Sequence, residues 1–396
     1  MSFPSAQRID DLTQLIEQEV IALRRDIHAH PEVARTEHRT TERIAARLRE
    51  EGLDPQLLKG TGLICDIGPR PDESGLKYIA LRADIDALPL PETTGLPFAS
   101  THDGVSHSCG HDVHTAVVVG TGIVLARLHH EAPLQQGVRL VFQPAEEVQP
   151  GGALDLMAQN VLDCVERIYA VHCEPKIDVG TVGTRIGPIT SACDTVTVTL
   201  SSNGGHTSRP HLTGDIVFAL GRIVTEVPSV LGRRLDPRAG VNLTWGHVQA
   251  GSAPNAMPSS GVLSGTLRVL DVNAWERAGE VLHETIEHIA NAYGVDVSLH
   301  HERGVPPVVN DEDCTLMLEA AARDALGPQA VSLTEQSLGG EDFAWYLTSI
   351  PGALARLGTR TPGGENYDIH RGDLIVDESA IRAGIAMLAR VAVGDR

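Results

Sequence analysis

Val138-Arg139-Leu140-Val141-Phe142-Gln143-Pro144-Ala145-Glu146-Glu147 is a short apolar run followed at once by two adjacent carboxylates. The run reads as a strand, which sets Glu146 and Glu147 just past its C-terminal end. The arrangement recurs twice. Ile79-Ala80-Leu81-Arg82 leads to Asp84 and Asp86, and Arg167 to Val171 leads to His172. Helical patterns surround these strands, at Ile9 to Ala29, Thr40 to Glu51, His114 to His129 and Ala153 to Gln159. Strands alternating with helices imply an α/β fold with a mainly parallel sheet covered on both faces. In such sheets ligands bind in the crevice beyond the carboxyl ends of the strands, where all three polar clusters fall.

The pattern changes near Ile186. Thr195 to Leu200, Val241 to Val248 and Val262 to Val269 alternate, with helices expected near Asp215–Val227 and Ala274–Ala292 and a last strand at Val295–His300. That order, β-α-β-β-α-β, suits a ferredoxin-like α+β domain with helices on one face of an antiparallel sheet. Helices return at Cys314–Leu326, Glu341–Leu347 and from Glu378. The expected organisation is therefore a catalytic domain, 1–186 with 303–396, interrupted by an inserted domain, 187–302. A chain of 396 residues makes two domains the natural division.

The formal net charge of −20 argues against a nucleic-acid partner, since a phosphate backbone would be repelled. No run is long and apolar enough to suggest a membrane span. The opening stretch, Met1 to Gln18, carries Arg8, Asp10, Asp11 and Glu17 in place of the apolar core of a secretion signal, so a cytoplasmic location is expected. The six cysteines include no Cys-x-x-Cys pair and read as reduced, mostly buried thiols. The histidine pairs 129–130 and 300–301 have no partner motif and are expected on the surface.

Cys109 differs because of its neighbours. Ser108-Cys109-Gly110-His111-Asp112-Val113-His114 places a thiolate and an imidazole two residues apart, with a carboxylate and a second imidazole close behind. Cys, His and Glu are the donors a zinc-type metal accepts, and one further Glu is what a metal-bound water needs as a base. Adjacent glutamates past a strand point different ways, so one can ligate while its neighbour faces the water. Spacing alone does not say which does which.

The chain resembles the aminoacylase and carboxypeptidase family of two-metal metallopeptidases, in its N-acyl-amino-acid amidohydrolase, hippurate hydrolase and auxin-conjugate hydrolase branch. The likeness rests on Arg24 to Glu32, Leu81 to Pro89, His107 to Ala116, Gln143 to Glu147, Gly204-Gly205-His206, Asn255 to Pro258, Gly265 to Arg268 and Glu341-Asp342-Phe343. It implies two divalent ions (Zn, Mn, Co or Ni) on Cys109, His111, Glu147, His172 and His370, with Glu146 as the general base. It further implies that His206 stabilises the oxyanion, often across a homodimer formed by the inserted domains acting as lids. Asn255 and Arg268 would hold the substrate carboxylate, and Asp84, Asp112 and His114 would support the ligands from behind.

Three positions depart from the family pattern: Thr207-Ser208 where Ala-Ala is common, Gly339-Gly340 before Glu341, and Arg371 to Leu374 after His370. None removes a ligand, so they bear on substrate identity. The expected reaction is hydrolysis of N-acyl amino acids. The same site could act on short peptides as a dipeptidase or carboxypeptidase, and a third reading is a binding protein on a retained scaffold.

Overall fold

The computed structural model describes residues 5–71 and 75–394, so the first four residues of the opening stretch lie outside it. The chain forms two compact units. One comprises the residues up to Ile189, Val309–Glu335 and those from Asp342 onward; the other comprises Thr190–Val308 with Gln336–Glu341.

The first unit is built on an eight-stranded sheet. Its spatial order is Gln56–Leu57, Leu63–Ile67, Gly137–Gln143, Tyr78–Asp84, Val165–Asp178, Gly352–Arg360, Val182–Thr184 and Val331–Leu333. The three strands carrying polar clusters are neighbours and run parallel, as does Gly352–Arg360 beside them. Leu63–Ile67 and Val182–Thr184 add antiparallel pairings on either side. Both Tyr78–Asp84 and Gly137–Gln143 are buried at every residue, as a sheet covered on both faces requires.

Register brings the clusters level. Asp84 lies opposite Gln143, and Arg82 opposite Ala170, so Asp84 and His172 each sit two residues further on. His172 is nevertheless not past a strand end. Its strand continues to Asp178, pairing His172 with Arg356 of the Gly352–Arg360 strand. That last strand, central and buried, was not visible as a pattern, because Ala, Leu and Gly around Arg356 show no alternation. The helix expected over Glu341–Leu347 shrinks to Ala344–Leu347, since Asp342 is drawn into a tertiary network.

The helix His111–Glu131 begins inside the Cys109 motif, three residues before the expected His114. Gly110 makes this possible: its φ is 88°, and a Cβ there would lie 2.7 Å from the Cys173 sulfur. Among the described residues, no helix is long and apolar enough to cross a membrane.

The main sheet of the second unit has four strands in the order Asn242–Ala250, Ser260–Val269, Ala192–Ser201 and Asp296–Val305, every neighbour antiparallel. With the helices Ile216–Arg234 and Val272–Ala292, this is the ferredoxin-like arrangement. Val196, Val198 and Leu200 are buried on one face, while Thr195 and Thr199 face water. The unit extends beyond the 187–302 span because the last strand continues through a bulge to Val305 and Ser337 bridges back to Thr190. His301, which was expected on the surface, lies opposite buried Val196 and so on the inward face of the sheet. Buried Asp194 accepts from it at 2.7 Å, and also from the Trp275 indole and the Gly304 N–H.

Behind the Cys109 motif lies a buried ionic chain in the first unit. Asp112 accepts from Arg24 at 2.5 Å and from His28 at 2.8 Å, and the far side of His28 is 3.3 Å from Glu92. His107 faces His28 at 6.3 Å between ring centroids; burial, the largest influence on it, brings it down to about 4. For His28 burial opposes charge, but Asp112 and then Glu92 outweigh it and hold the imidazole up at about 9. The folded value exceeds the ordinary 6.5, so this stabilisation is complete below that pH and is lost as pH rises through about 9. The loss should be on the order of 3 kcal/mol. Urea unfolding at about pH 6 and about pH 9.5 should show it in the native protein and a flatter profile in His28→Gln. Equal pH dependence in both proteins would refute it.

Candidate metal centre

The site is assembled from the strand-end residues outward. Asp86, just past Tyr78–Asp84, accepts from two candidate ligands with its carbonyl and both carboxylate oxygens. His111 Nδ1 lies 2.9 Å from its carbonyl and 3.2 Å from its Oδ1, and its Oδ2 accepts the Glu147 N–H at 2.9 Å. With Nδ1 donating, the lone pair of His111 Nε2 faces the centre. It lies 3.7 Å from Glu146 Oε2 and 3.7 Å from Glu147 Oε1.

His172 is held the same way, its Nδ1 donating to the Cys173 carbonyl at 2.8 Å, with Nε2 3.5 Å from Cys109 Sγ. His370 arrives from the C-terminal segment with its Nε2 3.3 Å from Glu147 Oε1. Its φ is 60° and its N–H bonds the Ser108 carbonyl at 2.7 Å, so the chain is pinned against the Cys109 loop in a conformation few side chains adopt. Ala145 is strained likewise at φ 57°, its N–H held by Glu37 at 2.8 Å.

These residues fit a pair of divalent ions. His111 Nε2 and Glu147 Oε1 are buried and make no hydrogen bond, which is costly unless a cation takes their lone pairs. Cys109, His111 and His172 form one group whose donor atoms lie within 4.8 Å of one another, and Cys109, Glu147 and His370 form another. Cys109 belongs to both. One thiolate with imidazoles and carboxylates accepts Zn, Mn, Co or Ni.

Burial, then the Glu147 carboxylate, push the Cys109 thiol well above its ordinary range, which is the reverse of an activated nucleophile. Burial, then the Arg356 guanidinium, hold His172 low and therefore neutral, the form that ligates. For Asp84 burial opposes ionisation, but the Arg82 guanidinium and the hydrogen bond from His114 Nδ1 keep the carboxylate charged.

Asp84 and His114 serve each other more than a metal. His114 Nδ1 donates to Asp84 at 2.6 Å, its Nε2 accepts the Cys173 N–H at 2.8 Å, and Arg82 takes the other Asp84 oxygen at 2.6 Å. Asp112 faces away, into the Arg24–His28 chain. Reading the sequence missed the gripping role of Asp86, although the spacing Asp84-Ile85-Asp86 was a usable signal. It also missed the buried set Arg82, Gln143 and Asp342, which no local pattern joins.

The remaining expected residues lie in the second unit. His206 pairs with Ala256 in a two-residue bridge, and the Thr207 N–H bonds the Asn255 carbonyl at 3.3 Å, so His206 and Asn255 are neighbours. Arg268 lies on the Ser260–Val269 strand, its guanidinium donating to the Leu338 carbonyl.

Residues 80–393 match peptidase family M20/M25/M40. A Rhodococcus jostii protein named as a glutamate–cysteine ligase is 48% identical over 377 residues, covering 95% of this chain but 46% of its own length. The chain thus spans about half of that relative. An N-acetylcysteine deacetylase of Bacillus subtilis is 38% identical, with 94% of this chain and 96% of that one covered. A crystal structure from Bacillus subtilis, described as a dinuclear metal-binding peptidase of the M20 family, superposes with a TM-score of 0.82 at 33% identity, covering 96% and 98%.

Cys109→Ala should lose bound metal and activity together, at least tenfold in each, by metal analysis of the purified variant beside turnover. Full metal content would remove Cys109 from the centre. Fold, donor cluster and sequence match agree: the chain belongs to peptidase family M20/M25/M40 and is a metal-dependent hydrolase of that family.

Proposed function

We propose that the chain hydrolyses the amide bond of N-acyl amino acids, N-acyl-cysteines foremost. The observation that carries this is the convergence of Glu146 and Glu147 with Cys109, His111, His172 and His370 on one centre. The names of two relatives support that choice of substrate: one is named for deacetylating N-acetylcysteine, the other for joining glutamate to cysteine. A free amino acid released by one reaction is what a ligase of that kind consumes.

Cys109, His111, Glu147, His172 and His370 would hold two divalent ions, which when bound polarise the scissile carbonyl and lower the pKa of water. Glu146, the carboxylate left outside the ligand set, takes the proton of the attacking water and returns it to the leaving nitrogen. Asp86 keeps His111 and the Glu147 backbone in place. Within the second unit, His206 would serve as the oxyanion donor and Arg268 with Asn255 as the anchor for a free carboxylate, the roles the family resemblance implies. That unit's dimerisation is supported by the unpaired edge of Asn242–Ala250 and by Val217, Phe218 and Val248, all more than half exposed. The buried thiols Cys65, Cys173 and Cys314, none of them in a disulfide, support a cytoplasmic setting.

The peptide-bond reading is supported by the peptidase description of the superposed structure. Metal-reconstituted protein should cleave N-acetylcysteine and other acetyl-, benzoyl- and indoleacetyl-amino acids with higher kcat/KM than dipeptides. The reverse order would favour the peptidase, and no turnover at all the binding protein. Glu146→Gln should lower kcat at least about a hundredfold with metal content unchanged; full activity would sink the mechanism. Sedimentation should give a dimer that Phe218→Asp converts to monomer, and a monomeric native protein would refute that part.

A further inference from the structure

We propose that Ser208 is a positioning residue that fixes the tautomer and ring orientation of His206. It occupies one of the two places where this chain departs from the small residues common after Gly-Gly-His. The inference rests on the reading of His206 as the oxyanion donor.

The backbone of the loop is pinned by hydrogen bonds. Gly205 and His206 pair with Met257 and Ala256, the Thr207 N–H bonds Asn255, and the Arg209 N–H bonds the His206 carbonyl at 2.9 Å. Its side chain is aimed by the residue two positions on. The Ser208 N–H lies 3.1 Å from His206 Nδ1, and the Ser208 hydroxyl 2.8 Å from the same atom.

A backbone amide can only donate. Nδ1 therefore accepts and carries no proton, and the single ring proton sits on Nε2. An oxyanion needs a donor already in place before charge develops, and Nε2–H is the one atom of this ring that can be it. The ring is solvent-exposed, so with alanine at 208 only the amide would remain to hold it against rotation. The hydroxyl adds the second restraint, and because both act on Nδ1 neither competes for the donor side. Ser208 itself touches no reacting atom in this reading; it acts through His206.

The test compares Ser208→Ala, Ser208→Thr and His206→Ala in the metal-loaded full chain, with N-acetylcysteine as substrate and ¹⁵N-labelled histidine for NMR. In the native protein His206 Nδ1 should resonate as a hydrogen-bonded, unprotonated nitrogen. In Ser208→Ala that signal should move toward the free or tautomer-averaged position, with kcat down roughly three- to tenfold and KM within about twofold. Ser208→Thr should restore both. An unmoved Nδ1 signal, or an altered signal with unchanged kcat, overturns the proposal while leaving His206 its role. Full activity in His206→Ala overturns the underlying reading and the proposal with it.

Discussion

A guanidinium without access to water must be neutralised where it lies, because an unpaired buried charge costs several kcal/mol. Arg82 is 1% exposed, and its three donor directions are taken by Gln143 at 2.9 Å, Asp84 at 2.6 Å and Asp342 at 2.8 Å. Those partners end one strand, end its neighbour and open the segment leading to Ala344–Leu347. Asp342 also accepts from the Gln143 amide and the Ala153 N–H, closing the loop that carries Glu146 and Glu147. One buried cation thereby fixes the height at which the parallel strands present their polar ends. Asp84 passes the constraint to His114, and His114 passes it to the Cys173 backbone beside His172.

What the sequence revealed of this followed from locality. Strand followed by acid is a pattern within ten residues, so the edge holding Asp84, Glu146 and Glu147 could be read directly, and the β-α-β-β-α-β order with it. The Gly352–Arg360 strand could not, since a strand buried on both faces leaves no alternation and its pairing to Val165–Asp178 spans almost half the chain. His172 was placed at a strand end because the apolar run stops there, whereas pairing to Gly352–Arg360 carries the strand to Asp178. His370 came only from resemblance, as its local sequence is that of a surface loop. Asp342 hid for the opposite reason: it looked like a helix start, and its true partners are far off in sequence.

The second unit illustrates a milder version of the same limit. Alternation located its strands, but the buried carboxylate of Asp194 was invisible, because an Asp at an inward position reads as an error until its donors are known. Once Trp275, His301 and the Gly304 amide are placed around it, the position becomes a reason for the bulge that ends the last strand.

The ligands themselves carry the converse lesson. The groups that hold the ligands in place are paired: Asp86 with His111 and Glu147, His172 with the Cys173 carbonyl, His114 on both nitrogens. Against that background His111 Nε2 and Glu147 Oε1, two buried atoms left without a hydrogen bond among the ligands themselves, stand out. Each unmet group costs about 1–3 kcal/mol. A fold that pairs the groups holding the ligands and leaves these two facing one another is preorganised for cations. Binding those cations then removes the cost, so metal affinity and fold stability are linked through the same atoms.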